Sequence, residues 1–242
     1  MTPGKLSAVQ TVSDKPRAGN VYLLRGWIGV FSHGIDQLTD KLEVAGVRAR
    51  QYQDDQWSAL ANTIVKEYEG KKNAEPLILI GHSYGADDVV RIARRLDEKN
   101  IPVDLLITLD PVTPPAVPKN VRFAYDLYQS NGLWDKMPWL RGVAMRKADD
   151  NPNTLQNVDI RRDRPDLLDG STDHFNIEKK ERIHDEIIKQ VMTVCPDRQT
   201  WVNRQGGTKL TRVAVKVPDP VTAPATQPVA RNPQVPGTPA ER

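Results

Sequence analysis

The apolar run Leu77-Ile78-Leu79-Ile80 feeds directly into Gly81-His82-Ser83-Tyr84-Gly85-Ala86, and Ala86, Val89, Val90, Ala93 and Leu96 then recur at helical spacing. This predicts a buried strand, a tight turn with a serine at its apex, and a helix. A serine hydroxyl is a weak nucleophile until it is held exposed beside a general base and donors for an oxyanion. A strand-turn-helix elbow provides that exposure. The bare pattern of glycine, serine and glycine recurs by chance; agreement with the strand before it and the helix after it gives it weight. The flanking glycines suit a backbone that is strained and crowded.

A serine nucleophile needs a base, a group that orients the base, and oxyanion donors. The chain has four histidines. His174, in Gly170-Ser171-Thr172-Asp173-His174-Phe175, is both late in the chain and in a loop that can reach over a serine, so it is the candidate base. His82 is expected to point away and pack, His33 to mark a helix start, and His184 to be solvated. Asp110 ends an apolar strand just after the serine helix. A carboxylate there is costly unless it is paired or hydrogen-bonded, which makes it the candidate orienting acid. Asp126, Asp135 and Asp173 compete. Asp126 reads as a solvent-facing strand residue, and Asp173 is next to His174 in sequence, which rarely gives an orienting geometry. The oxyanion donors are expected to be the backbone N–H groups of Tyr84 and Trp27.

The elements that must position these groups alternate. Val21–Leu24 reads as a strand ended by Arg25-Gly26-Trp27-Ile28-Gly29, and Ile35, Leu38 and Leu42 mark a helix stopping near Gly46. Val47–Tyr52 reads as a strand. Asp54 or Asp55 can cap the next helix, whose stripe is Trp57, Leu60, Ala61, Ile64, Val65 and Tyr68. Val103–Leu109, Val121–Tyr128 and Leu155–Ile160 are further strands, and Ile183, Ile187, Ile188, Val191 and Val194 stripe a last helix. The expected fold is α/β: a doubly wound, mostly parallel sheet with helices on both faces, a three-layer sandwich. Sites in such folds form at the carboxyl ends of strands. Ser83, Asp110 and the Gly26-Trp27 turn all fall at such ends.

Residues 1–19 read as a flexible arm, 20–200 as the single domain, 201–217 as a small hairpin around Gly206-Gly207, and 218–242 as a disordered proline-rich tail. Residues 130–173 hold an apolar group that forms either a cap or a satellite cluster. The net charge of +3 over 242 residues calls for no nucleic-acid partner. The single cysteine, Cys195, excludes an internal disulfide and is expected to pack. No stretch has the length of a membrane span. Met1 to Asn20 lacks an apolar signal core, which favours a cytoplasmic protein; an exported chain with its signal removed would read the same. No metal-ligand spacing is present, and no cofactor is expected. Oligomeric state leaves no signal.

On these residues the chain resembles the α/β-hydrolase fold family over about residues 20–195. Ser83, Asp110 and His174 follow the family's order. Arg25-Gly26-Trp27-Ile28-Gly29 is similar to its His-Gly-x-x-Gly oxyanion motif, with Arg25 in place of histidine, and Gly-His-Ser-Tyr-Gly-Ala resembles the lipase and thioesterase form of the elbow. Leu109-Asp110-Pro111 resembles lipases whose acid follows the strand just after the serine helix, not the next one. The resemblance implies hydrolysis of a carboxylic ester, lipid or thioester through an acyl group on Ser83, released by water activated at His174. It also implies that Trp134, Met137 and Trp139, between 130 and 173, line an acyl pocket under a cap. The partner would be a small-molecule or lipid acyl substrate. Two other readings keep the same fold: a non-catalytic binding module, and an acyltransferase in which an alcohol replaces water.

Overall fold

In a computed structural model, residues 4–26, 33–130, 142–170 and 172–206 are described. Six strands form one sheet: β1 (Asn20–Leu24), β2 (Arg48–Tyr52), β3 (Leu77–His82), β4 (Leu105–Leu109), β5 (Phe123–Tyr128) and β6 (Thr154–Asp159). Their order is β2-β1-β3-β4-β5-β6, and every pairing is parallel. The helices are α1 (His33–Val44), α2 (Trp57–Tyr68), α3 (Tyr84–Asp97), the single turn α4 (Ile160–Asp163), α5 (Glu181–Val194) and α6 (Arg198–Gly206).

The two faces of the sheet account for the continuous apolar strands. Successive strand side chains point to opposite faces, so a strand covered on both sides must be apolar at every position. Ile78, Ile80, Leu105, Ile107 and Leu109 pack with Ile35, Leu38 and Leu42 of α1 and with Ile183, Ile187 and Val191 of α5. Leu77, Leu79 and Leu106 pack on the other face with Leu60 and Ile64 of α2 and Val89, Val90 and Ala93 of α3. The sheet is therefore a middle layer between two helical ones, as expected. The chain builds β1 and β2, then returns to place β3 on the far side of β1. Between β1 and β3 the winding reverses, the place in such sheets where sites commonly form. Leu24 of β1 pairs with Gly81 of β3, and His82 with Leu109 of β4, so the turns after these three strands lie side by side.

Several expectations need correction. The stretch before β1 is not a free arm over its described part: Leu6 is fully buried in the core shared with α2 and α3. Ala18 N–H donates to Pro196 O, and Arg198 N–H donates to Pro16 O. The expected hairpin from 201 begins instead as α6, because Asp197 accepts the N–H of Thr200 at 2.8 Å and caps the helix; residues 207–217 and the tail 218–242 lie outside the described residues. Asp54 and Asp55 sit inside a short 3-10 turn, Asp54–Gln56, where Gln53 and Gln56 form the capping pair. The would-be cap segment contains β6, and Met145 from it is buried in the core. His184 is fully buried, with Nε2 2.6 Å from Glu178 O. Cys195 is buried at the end of α5, and burial pushes its thiol pKa up. Among the described residues no helix is long and apolar enough to cross a membrane.

Candidate active site

Ser83 stands between β3 and α3 with φ 56° and ψ −126°, a conformation that side chains rarely adopt. The crowding explains the glycines. A Cβ on Gly81 would lie 2.2 Å from Gly85 O, and one on Gly85 would lie 2.5 Å from the carbonyl oxygens of both Leu24 and Arg25. The turn is thus clamped between the end of β1 and the start of α3. Ser83 N–H donates to Leu109 O at 2.9 Å, tying the elbow to β4 as well.

His174 reaches the serine from the loop before the 3-10 turn Ile177–Lys179, with Nε2 3.0 Å from Ser83 Oγ. Its Nδ1 lies 3.4 Å from Asp110 Oδ2. That distance is within ion-pair range but long for a hydrogen bond. Among the described residues, Nδ1 has no hydrogen-bond partner. Asp110 is fully buried, and its φ of 44° turns the chain sharply after β4. Its carboxylate accepts Gln129 N–H at Oδ1 (2.7 Å) and Gln129 Nε2 at Oδ2 (3.0 Å). The turn beyond it is anchored by buried Asp87 of α3, which accepts the N–H groups of Val112 and Thr113 at 2.9 and 2.8 Å.

The structure separates the competing acids. Asp126 is fully buried on β5, not solvent-facing, because β5 is covered on both sides. Its Oδ1 lies 2.7 Å from Thr108 Oγ1, and that hydroxyl also lies 2.9 Å from Met145 Sδ. The Thr108 hydroxyl is the donor to the carboxyl oxygen. Burial pushes the Asp126 carboxyl well above the usual range, against the lowering effect of the Thr108 and Met145 hydrogen bonds. Asp173 is exposed and accepts Phe175 N–H. Asp135, Trp27, Trp134, Met137 and Trp139 lie outside the described residues. Tyr84 is the first residue of α3, so its N–H has no intrahelical acceptor and lies at the helix's positive end, beside Ser83. Arg25, before the expected oxyanion turn, pairs with Asp36 of α1.

His82 does not point away. Its ring lies 5.4 Å from that of His174, and its Nε2 is 2.9 Å from His174 O. A carbonyl only accepts, so Nε2 carries the proton. Burial, then the nearby His174, lowers the His82 pKa to about 4, and the ring stays neutral. Sequence reasoning also passed over Gln129 and Asp87. Gln129 could have been found by the rule used for Asp110, being a polar residue at the carboxyl end of an apolar strand.

Glu178, four residues beyond His174, is buried, and burial pushes its pKa up to about 7 from 4.5. Because the folded value is the higher one, the stabilising contribution is complete below about pH 4.5 and lost as pH rises through 7. Glu178→Gln should therefore gain on the wild type between pH 4.5 and 8, by about 3 kcal/mol at most. Urea midpoints at both pH values check this; a gap independent of pH would refute it.

Comparison with known proteins adds likeness in structure only. No protein-family model matches the chain, and no curated protein matches it. Among solved structures it is similar to Est1E from Butyrivibrio proteoclasticus (12% identity, 74% of this chain and 90% of that one, TM-score 0.41). It is also similar to the NocB thioesterase domain from the nocardicin cluster (14%, 73% and 95%, 0.45). A third is an α/β serine hydrolase without a lid from Xanthomonas campestris (14%, 80% and 85%, 0.40).

Proposed function

We propose that the protein is a serine hydrolase that cleaves a carboxylic ester, lipid or thioester through an acyl group on Ser83. The observation that carries this reading is the contact of Ser83 Oγ with His174 Nε2 at 3.0 Å, on a strained elbow, with His174 Nδ1 facing buried Asp110. On this reading Ser83 Oγ attacks the acyl carbon and His174 Nε2 takes the hydroxyl proton. The oxyanion is met by the N–H of Tyr84 and by a donor from the turn at Trp27. His174 then gives its proton to the leaving alcohol or thiol, and water attacks the acyl-enzyme by the same route in reverse. Asp110 keeps the imidazole oriented and stabilises its charge while it holds the proton. His82 contributes by fixing the backbone carbonyl of His174.

A fluorophosphonate probe tests the proposal. The wild type should become covalently labelled at Ser83, and Ser83→Ala should not be labelled. Mass spectrometry of the labelled peptide checks the position. An unlabelled wild type, or labelling that persists in Ser83→Ala, would sink the reading.

A further inference from the structure

The carboxylate of Asp110 is held from the neighbouring strand. Gln129, the first residue beyond β5, is fully buried and gives it two donors: its backbone N–H to Oδ1 and its side-chain Nε2 to Oδ2. Oδ2 is also the oxygen facing His174 Nδ1. An amide can present either end to a partner, but here the partners decide. A carboxylate only accepts and a guanidinium only donates. Nη2 of the exposed Arg161 lies 3.2 Å from Gln129 Oε1, so the amide nitrogen must face Asp110. The same Nη2 lies 3.4 Å from the carbonyl oxygen of Thr172, two residues before His174. Groups from α4, the end of β5, the end of β4 and the histidine loop thus form one hydrogen-bonded series.

We propose that Gln129 is a positioning residue for the acid: its amide keeps the Asp110 carboxyl group aimed at His174, and Arg161 sets the sense of the amide and links it to the histidine loop. This rests on the serine-hydrolase reading above. Gln129 touches neither substrate nor the reacting atoms, so its effect must pass through Asp110. Without Nε2–H, the backbone bond still holds Oδ1, but Oδ2 loses its fixed donor and the carboxylate can rotate away from the ring. Hydrogen bonds to a charged group are the strong ones, and losing one corresponds to about tenfold to a hundredfold in rate where the charge acts in the transition state.

The test uses Gln129→Leu and Arg161→Met in the full chain, with a short aryl ester as substrate and fluorophosphonate labelling of the wild type and Ser83→Ala as controls. Gln129→Leu should lower kcat about tenfold to a hundredfold with KM within about twofold. The acid limb of its pH–rate profile should move to lower pH, because the protonated ring loses part of the carboxylate's field. In an Asp110→Ala background, Gln129→Leu should cost nothing further, since the two act as a unit. Arg161→Met, at an exposed site, should give about a threefold loss in the same direction. A folded Gln129→Leu with wild-type kcat and an unmoved limb would overturn the inference alone. If that variant fails to fold, an Arg161→Met protein with wild-type kcat and limb would overturn it. An unlabelled wild type would overturn the inference together with the reading beneath it.

Discussion

Asp110→Asn is expected to lower kcat by roughly 10³ to 10⁴ with little change in KM, while Asp126→Asn should leave kcat within about twofold. The two aspartates lie near each other at the carboxyl half of the sheet, both fully buried, and differ in what surrounds them. Asp110 accepts two donors from Gln129 and faces the His174 ring. An amide in its place must set its NH₂ either against Gln129 N–H or against Gln129 Nε2 and His174 Nδ1, and the second arrangement turns the ring toward the wrong tautomer. Asp126 meets Thr108 and Met145 in a pattern a neutral side chain satisfies. Its amide would donate to Thr108 Oγ1, a hydroxyl that can also accept, and would still accept Met145 N–H. Steady-state kinetics of the two variants, on protein shown to be folded by circular dichroism, checks both halves. Comparable losses in the two, or full activity in Asp110→Asn, would remove Asp110 from its assigned role.

Gly142→Ala is expected to cost about a hundredfold in kcat and about 1–3 kcal/mol in stability. A Cβ at that position would lie 2.1 Å from Asp110 Oδ1 and 3.1 Å from Gln129 N. Neither neighbour yields cheaply. Oδ1 is held by a backbone N–H, and that N–H belongs to the turn that ends β5. The carboxylate must rotate or the turn must shift, and displacement of about an ångström at an orienting group is enough to spoil a near-attack geometry. Urea denaturation and ester hydrolysis read the two effects separately. A wild-type kcat in a folded Gly142→Ala protein would show that the carboxylate can move without consequence.

The parts of this site that were legible in the sequence are those written in local pattern. The elbow at 81–85 could be read because a continuous apolar run and a helical stripe bracket it, and both came from the sheet's double burial. Asp110 and His174 could be read from their order and from the ends of predicted elements. Asp126 misled because a carboxylate within a strand reads as solvent-facing, whereas β5 has two covered faces. His184 misled because a polar residue in an amphipathic helix can turn inward when a carbonyl, here that of Glu178, awaits it. Gln129 sits at a strand end that the rule used for Asp110 would have marked, whereas Asp87 and Gly142 matter through partners distant in the chain that no short pattern records. Arg161 is the extreme case: an exposed arginine in a charged run, distinguished only by the oxygen atoms of Gln129 and Thr172 that it reaches.

The bond from Ser83 N–H to Leu109 O joins the turn of Ser83 to the strand that leads into Asp110. Those two groups therefore travel as one body, fixed by the central ladder of the sheet. Only the histidine approaches from outside that ladder. Residues 172–180 lie outside that ladder, and amide exchange there is expected to precede exchange in β3 or β4. On the serine-hydrolase reading, loosening of that loop on mild heating should lower activity reversibly while the sheet stays intact.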